Sequence, residues 1–212
     1  MTITVASGAS APARPLRVLV ACEFSGTVRD AFRSAGHDAM SCDILPTERT
    51  GPHYQGDVRD VLYEPWDLIV AHPPCTYLAN SGVRWLHERP ERWAQLDEAA
   101  EFFRLFLDAP AEFIAVENPV MHKYGVERVG RRHDQTVQPW QFGDGETKRT
   151  CFWLKNLPPL QPTQVVEARA ARVWRMPPGP ERQKERSRFF PGIAAAMADQ
   201  WGRFVASQTV TL

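Results

Sequence analysis

The chain has 212 residues, 43% of them hydrophobic and 24% charged, and its 25 basic and 25 acidic side chains give a formal net charge of zero. This length and balance describe a globular chain with a real core rather than a disordered polyelectrolyte. No apolar run approaches the roughly 20 residues that span a bilayer. Zero net charge also argues against tight, sequence-blind duplex binding, which rests on many phosphate contacts.

The first residues, 1–15, are rich in Ala, Ser, Thr and Pro and predict a loose tail; no basic stretch runs into an apolar one there, so no leader is expected. Leu16 to Ala21 reads as a buried strand. It runs through Cys22-Glu23-Phe24-Ser25-Gly26 into a helix from about Thr27 to Ala35, whose apolar stripe is Val28, Ala31, Phe32 and Ala35. Gly36 stops that helix. Asp38 to Cys42 predicts a second strand ending at Asp43, and His53 to Gln55 a weak third, followed by Gly56-Asp57. The apolar run Trp66 to Val70 predicts a strand that ends at Ala71 and gives way to His72-Pro73-Pro74-Cys75.

Pro90 opens a long helix to about Leu107, because proline fits the first helical turn; Trp93, Leu96, Ala100, Phe103 and Leu107 form its buried stripe. Phe113 to Val116 predicts a strand ending in Glu117-Asn118-Pro119. Two further strands are expected at Gln135–Gln138 and Thr150–Leu154, then a proline-rich stretch from Leu157 to about Pro180 and a last helix from Gly192 to about Val205. Strands alternating with helices predict an α/β fold with a doubly wound, mostly parallel sheet.

In such a sheet the carboxyl ends of the strands share one edge, where ligands bind. Glu23 to Gly26, Asp43, Asp57, His72 to Cys75 and Glu117 to Pro119 all lie just past strand ends. Cys75 reads there either as a nucleophile or as a small buried thiol. The glycine at 26 lets backbone approach a ligand, and the helix behind it offers free N–H groups. Asp43 sits where nucleotide-binding folds place a carboxylate for ribose hydroxyls, and Asp57 could accept from an adenine amino group; each reads equally as a turn or cap residue. His72 reads as a lining of the same pocket or as a buried, satisfied histidine.

The other cysteines, Cys22, Cys42 and Cys151, sit beside apolar strands and read as core. No C-x-x-C pair or neighbouring histidine gives ligand spacing, so no metal site is expected, and a reduced, cytoplasmic setting fits. Arg169, Arg172, Arg175, Arg182, Lys184, Arg186 and Arg188 cluster late in the chain and read as a solvated face or a phosphate-binding one. Trp140 and Trp174, in polar settings, are the candidates for stacking on bases.

Pro73-Pro74-Cys75, Glu117-Asn118-Pro119 and Gly56-Asp57-Val58, in this order and spacing, resemble motifs of the cytosine-C5 DNA methyltransferases. From Arg17 onward the chain is most similar to the small methylase-type proteins of bacteriophages and prophages that lack a full target-recognition domain. The resemblance implies a Rossmann-like fold that uses S-adenosylmethionine and acts on cytosine in DNA. It implies Cys75 as the nucleophile that adds to the ring, Glu117 as the group that bonds N3 and the exocyclic amine and supplies a proton, and Asn118 as the residue that orients the Glu117 loop. Glu23, Phe24, Ser25, Gly26, Asp43, Asp57 and Pro73 would contact the cofactor, and Pro74, Lys148 and Arg149 the substrate, with Arg149 or Lys148 gripping a phosphate or the cytosine O2. The cell implied is a bacterium or a phage-infected host.

The chain also departs from the family. Only Gly26 survives of its first glycine loop, and Glu23 stands in that loop. Glu146 to Thr150 only echoes the basic motif, and Phe189 to Ile193 replaces a late Asn-Ser-Val segment. Residues 155–188, proline-rich and basic, stand in place of the recognition domain, and 189–206 should pack back on the core. A free cytosine nucleotide or another small acceptor therefore stays open as substrate, as does single-stranded DNA. Amino-methylation is a further reading, though it expects an aromatic residue where Cys75 stands. A non-catalytic module that only binds nucleic acid is the reading from a different class.

Overall fold

A computed structural model describes residues 14–209, apart from 178, 180 and 181 and the side chains of 174 and 183. The tail expected over 1–15 thus lies almost wholly outside the described residues. The chain order is β1 (Arg17–Ala21), α1 (Thr27–Ser34), β2 (Asp38–Asp43), β3 (His53–Gln55), β4 (Leu68–Ala71), α2 (Trp85–Glu88), α3 (Arg92–Leu107), β5 (Phe113–Asn118), α4 (Lys123–Val129), β6 (Gln135–Val137), β7 (Thr150–Lys155), α5 (Arg172–Arg175), α6 (Arg182–Ser187), α7 (Pro191–Ala196), a π-helical turn (Met197–Trp201) and α8 (Gly202–Thr209).

The strands form one seven-stranded sheet in the order β3-β2-β1-β4-β5-β7-β6. β1 to β5 are parallel, while β7 runs against both of its neighbours. Alternation along each strand feeds two cores. Val18, Val20, Leu68, Val70 and Ala115 join Phe32, Ile193 and Trp201 on one face; Leu19, Ile69, Ile114 and Val116 join Leu96, Phe103 and Trp153 on the other. Each large side chain so buried contributes roughly 1.5–3 kcal/mol by area.

The helices largely follow the predicted stripes, with shifts at their ends. α1 stops at Ser34 and leaves Ala35 exposed. In α3 the buried residues are Leu96, Ala100, Phe103 and Phe106; Trp93 and Leu107 are only half buried. The carboxyl-terminal helix is interrupted by the π turn, whose last residue, Trp201, is fully buried and donates from Nε1 to the Pro158 carbonyl at 2.9 Å. α4 has no counterpart in the sequence reading: its seven residues, one of them Gly125, carry too short an apolar pattern, and its cap is a histidine, whose Nδ1 accepts from Gly125 N at 2.9 Å.

Strand register sets the geometry of the carboxyl edge. Ala21 stands level with Cys42 and with Ala71, and Ala71 stands level with Val116. The next residues on these four strands, Cys22, Asp43, His72 and Glu117, therefore form one row along that edge. None of the described helices is long and apolar enough to cross a membrane.

Candidate active site

The row opens into a cavity of about 1080 Å³. Phe24, Ser25, Asp43, Ile44, Asp57 and Val58 line it on the β1–β3 side; His72, Pro74, Cys75, Glu117 and Lys148 line it on the β4–β7 side, and Phe189 also borders it. Cys22 belongs to this lining as well. It is not the core residue expected: it is partly exposed, at a left-handed φ of 58° that turns the chain sharply out of β1. Cys42 and Cys151 are buried.

The turn into α1 works differently from a phosphate-type glycine loop. The Glu23 carboxylate accepts from Val28 N at 2.7 Å, Arg29 N at 3.2 Å and Ser25 Oγ at 3.0 Å. The amides expected to be free for a ligand are thus taken by the chain's own carboxylate, which also suits the positive end of the helix. Gly26 does not line the cavity. It is needed because φ is 72° and because a Cβ would stand 2.5 Å from the Arg29 guanidinium.

Arg29 itself escaped the sequence reading. Its side chain is fully buried, pairs with Asp30, and donates to Ser41 Oγ, Thr47 Oγ1 and the Arg49 and Thr50 carbonyls. It pins the loop after β2 against α1. The available sign was its place three residues before Phe32, on the helix's inward side.

Asp43 and Asp57 are turn and cap residues on the cavity wall. Asp57 caps the single turn 58–60 through Arg59 N at 2.9 Å, and Asp43 accepts from Leu45 N at 2.9 Å, yet each also lines the cavity. The Arg59 backbone hydrogen bond holds the Asp57 carboxyl below its usual range. Between them Ile44 is 75% exposed, an apolar surface flanked by two acceptors.

On the β4–β7 side, His72 Nδ1 lies 3.2 Å from Glu117 Oε2. Glu117 is buried, and its Oε1 has no partner; the same is true of His72 Nε2. Burial opposes ionisation of Glu117, but the His72 hydrogen bond and the nearby Lys148 charge outweigh it and hold the carboxyl below its ordinary value. Cys75 is half-buried. Burial pushes its thiol up, Glu117 adds to this, and Lys148 and Arg186 act against it.

Asn118 Nδ2 donates to the Pro73 carbonyl at 2.9 Å, tying the β5 exit to the loop that carries Cys75. Pro73 is buried by this contact and does not line the cavity, contrary to expectation, whereas Pro74 does. Arg149 is exposed and outside the cavity; the extended chain before β7 turns Lys148 inward in its place, with Nζ 3.1 Å from the Arg186 carbonyl.

The segment beyond β7 forms a roof. Leu157 and Leu160 are buried in the core, and Gly179, Arg182, Lys184, Arg186 and Ser187 border the cavity from above. Glu48 ties the roof to the loop after β2 through Arg188 at 2.7 Å and Lys184 at 3.1 Å. Phe189 packs on the His72 ring, with centroids 4.8 Å apart. The Trp140 ring is covered by the Arg169 guanidinium at 3.8 Å, so that face is not open to a base. The Trp174 side chain lies outside the described residues. No group of three His, Cys, Asp or Glu among the described residues is placed to hold a metal ion.

No family model matches the chain, and no curated protein does. Among solved structures it is similar to the Dnmt2 methyltransferase of S. pombe, at 16% identity and a TM-score of 0.42 over 76% of this chain and 54% of that one. It is also similar to WbdD, solved with a kinase inhibitor, at 14% identity and a TM-score of 0.40 over 70% of this chain and 39% of that one. A DNMT2 variant from Spodoptera frugiperda matches at 13% identity and a TM-score of 0.36, over 74% of this chain and 55% of that one. The chain spans about half the length of the two Dnmt2 proteins. The strand order, with β7 alone reversed between β5 and β6, is a doubly wound, mostly parallel Rossmann-like sheet.

Proposed function

We propose that this protein transfers a methyl group from S-adenosylmethionine to C5 of cytosine in DNA, through a covalent adduct on Cys75. The observation that carries this reading is the cavity: a half-buried thiol from the loop after β4 and a buried carboxylate on β5 with one unpartnered oxygen line the same space.

The residues on the β1–β3 side suit the cofactor. Asp43 and Asp57 offer acceptors to ribose hydroxyls and an adenine amine, and the exposed Ile44 offers an apolar face to the purine between them. When bound, the cofactor supplies an electrophilic methyl group. Glu23 borders the cavity as well, and in this reading its carboxylate also fixes the start of α1 there.

The pair Cys75 and Glu117 rests as thiol and carboxylate, given the directions in which the two groups are shifted. The proton that Sγ loses as the C6–Sγ bond forms equals the proton that N3 gains, so Glu117 Oε1 can carry it from one to the other without drawing on solvent. His72 holds Oε2 and leaves Oε1 as the working oxygen. Cytosine C5 becomes enamine-like and takes the methyl group. Solvent water takes the C5 proton, the electron pair of that bond re-forms the ring double bond as Sγ departs and 5-methylcytosine is released, and Sγ regains its proton from N3 through Glu117. Lys148 stabilises the carboxylate and the thiolate as each forms.

Nucleoside mass spectrometry of DNA from cells expressing the protein tests the reaction. Deoxycytidine gaining one methyl group with wild type and none with Cys75→Ala is the expected result; unmodified DNA with both would refute it. The Glu23 cap, which takes up two helix amides, favours a second reading in which the fold binds nucleic acid without the cofactor. Titration calorimetry with S-adenosylmethionine separates the two, since that module would give no heat.

A further inference from the structure

The cations between Arg169 and Arg188 fall into three sets. Arg172 pairs with Glu146, Lys184 and Arg188 pair with Glu48, and Arg188 also pairs with Glu185. Arg169 and Arg175 belong to no ion pair among the described residues, and they stand away from the cavity. Arg182 and Arg186 likewise belong to none, but both border the cavity.

The faces of α6 make this division. Arg182 and Arg186 are four residues apart and share one side of the helix. Lys184, between them, turns the other way, to Glu48 and to within 5.5 Å of the Phe24 ring. Arg182 Nε donates to the Met176 carbonyl at 2.9 Å, and its terminal nitrogens take no partner among the described residues. The Arg186 carbonyl accepts from Lys148 Nζ at 3.1 Å, which brings a third cation to the same side from the chain before β7. Lys148 and Arg186 both stand close enough to Cys75 for their charges to act on its thiol. The neighbouring carboxylates are engaged: Glu48 and Glu185 by Lys184 and Arg188, and Glu117 Oε2 by His72.

We propose that Arg182, Arg186 and Lys148 form a subsite for the 5′-phosphate of the target cytidine nucleotide. The inference rests on the proposed reaction, which brings cytosine C6 to Cys75. C6 neighbours the glycosidic nitrogen, and in the anti conformer of a pyrimidine nucleotide the 5′ side of the sugar lies over it. The 5′-phosphate therefore stands on the Cys75 side of the base, while N3 and the amine face Glu117. Cations gathered beside Cys75 on a roof above it meet that phosphate, and guanidiniums suit its oxygens. The cofactor carboxylate is the other anion at hand. Asp43 and Asp57 set the cofactor on the β1–β3 side, however, and Arg186 and Lys148 border the other half. A free nucleotide and a DNA strand both present this phosphate.

Titration calorimetry in a phosphate-free buffer tests this, with S-adenosylhomocysteine present so that no methyl group moves. The probes are deoxycytidine, its 5′-monophosphate, its 3′-monophosphate and a single-stranded trinucleotide with cytosine at its centre. Wild type should bind the 5′-monophosphate at least about tenfold more tightly than deoxycytidine, the gain expected of charge-assisted hydrogen bonds. The 3′-monophosphate should show no such gain. Arg182→Gln/Arg186→Gln should cut the 5′ gain by about fivefold or more. It should still bind deoxycytidine within about twofold of wild type, which reports an intact cavity. Arg132→Gln/Arg175→Gln, at two exposed cations away from the cavity, should keep the gain. Tighter binding of the trinucleotide than of the 5′-monophosphate names a strand as the source of the phosphate; the reverse names a free nucleotide.

No binding of any probe, an equal gain from the 3′-phosphate, or a 5′ gain that Arg182→Gln/Arg186→Gln keeps would overturn the subsite. A loss confined to S-adenosylhomocysteine affinity in that variant would assign the cations to the cofactor carboxylate and overturn it too. The expected 5′ gain, in a wild-type protein that deposits no methyl group on cytosine, would instead overturn the reaction proposed for the cavity. Methyl transfer by a protein that shows no 5′ gain would overturn the subsite alone.

Discussion

At position 72 a histidine separates two oxygens of one carboxylate. His72 Nδ1 takes Glu117 Oε2 and leaves Oε1 without a partner. This division of labour makes a graded prediction for single-turnover methylation. Glu117→Gln keeps the shape but cannot move a proton, and should slow transfer by about 10²–10⁴-fold. His72→Asn keeps a donor near the Nδ1 position and should retain most of the rate; His72→Phe should lose much more. Equal rates for the Asn and Phe variants would show that the hydrogen bond has no part in placing Glu117. Sequence alone left His72 undecided, because its role comes from a register between strands 45 residues apart in the chain.

Cys75 ties the same site to pH. Its thiol is pushed up by burial in the folded protein, while in the unfolded chain it titrates near about 8.5. A group whose folded pKa is raised gives stability that is fully present below the unfolded value and is lost as pH rises toward the folded one. Wild type should therefore lose stability relative to Cys75→Ala above about pH 8.5. Urea denaturation midpoints from pH 7 to pH 10 test this; parallel midpoints throughout would show that the thiol titrates as it does in the unfolded chain.

At the scale of elements, the turn from β1 into α1 is set by partners within the chain that its sequence does not name. Gly26 stands where a ligand-cradling glycine was expected, but the group pressed against it is the Arg29 guanidinium. Glu23 holds the helix start with its carboxylate and also borders the cavity. A charged residue on a helix reads as surface by type, and only the folded contacts show that Arg29 gathers the loop 47–50. Arg29→Leu should cost about 2–4 kcal/mol, since it strands buried carbonyls and breaks a partly buried pair. Chemical denaturation measures the loss. A change under about 0.5 kcal/mol, as for an ordinary surface site, would contradict this role. The roof is an element of the same kind. Its prolines and arginines were legible as composition, but its folding onto Glu48 depends on a carboxylate far away in the chain.

At the scale of the whole molecule, hydrophobic period and chain order carried the most information. The apolar runs of β1, β4 and β5 marked buried parallel strands, and their ends marked one edge of the sheet. Cys75, Glu117, Asp43 and Asp57 do reach one cavity there. The residues misplaced by sequence sit one step from residues placed well: Arg149 beside Lys148, Pro73 beside Pro74. Side-chain direction alternates along extended chain, so a one-residue ambiguity in a motif is a choice between cavity and solvent. α4 and the π turn were not legible, because short elements are set by caps and tertiary contacts rather than by periodicity.

Trapping is the most direct test of a sulfur nucleophile at position 75. Wild-type protein, S-adenosylmethionine and a single-stranded oligonucleotide carrying 5-fluorocytosine should give a denaturation-resistant complex, because fluorine at C5 cannot leave as the proton does. Intact mass should equal protein plus methylated oligonucleotide, and fragmentation should place the link on Cys75. No complex with wild type, or an undiminished complex with Cys75→Ala, would contradict the mechanism.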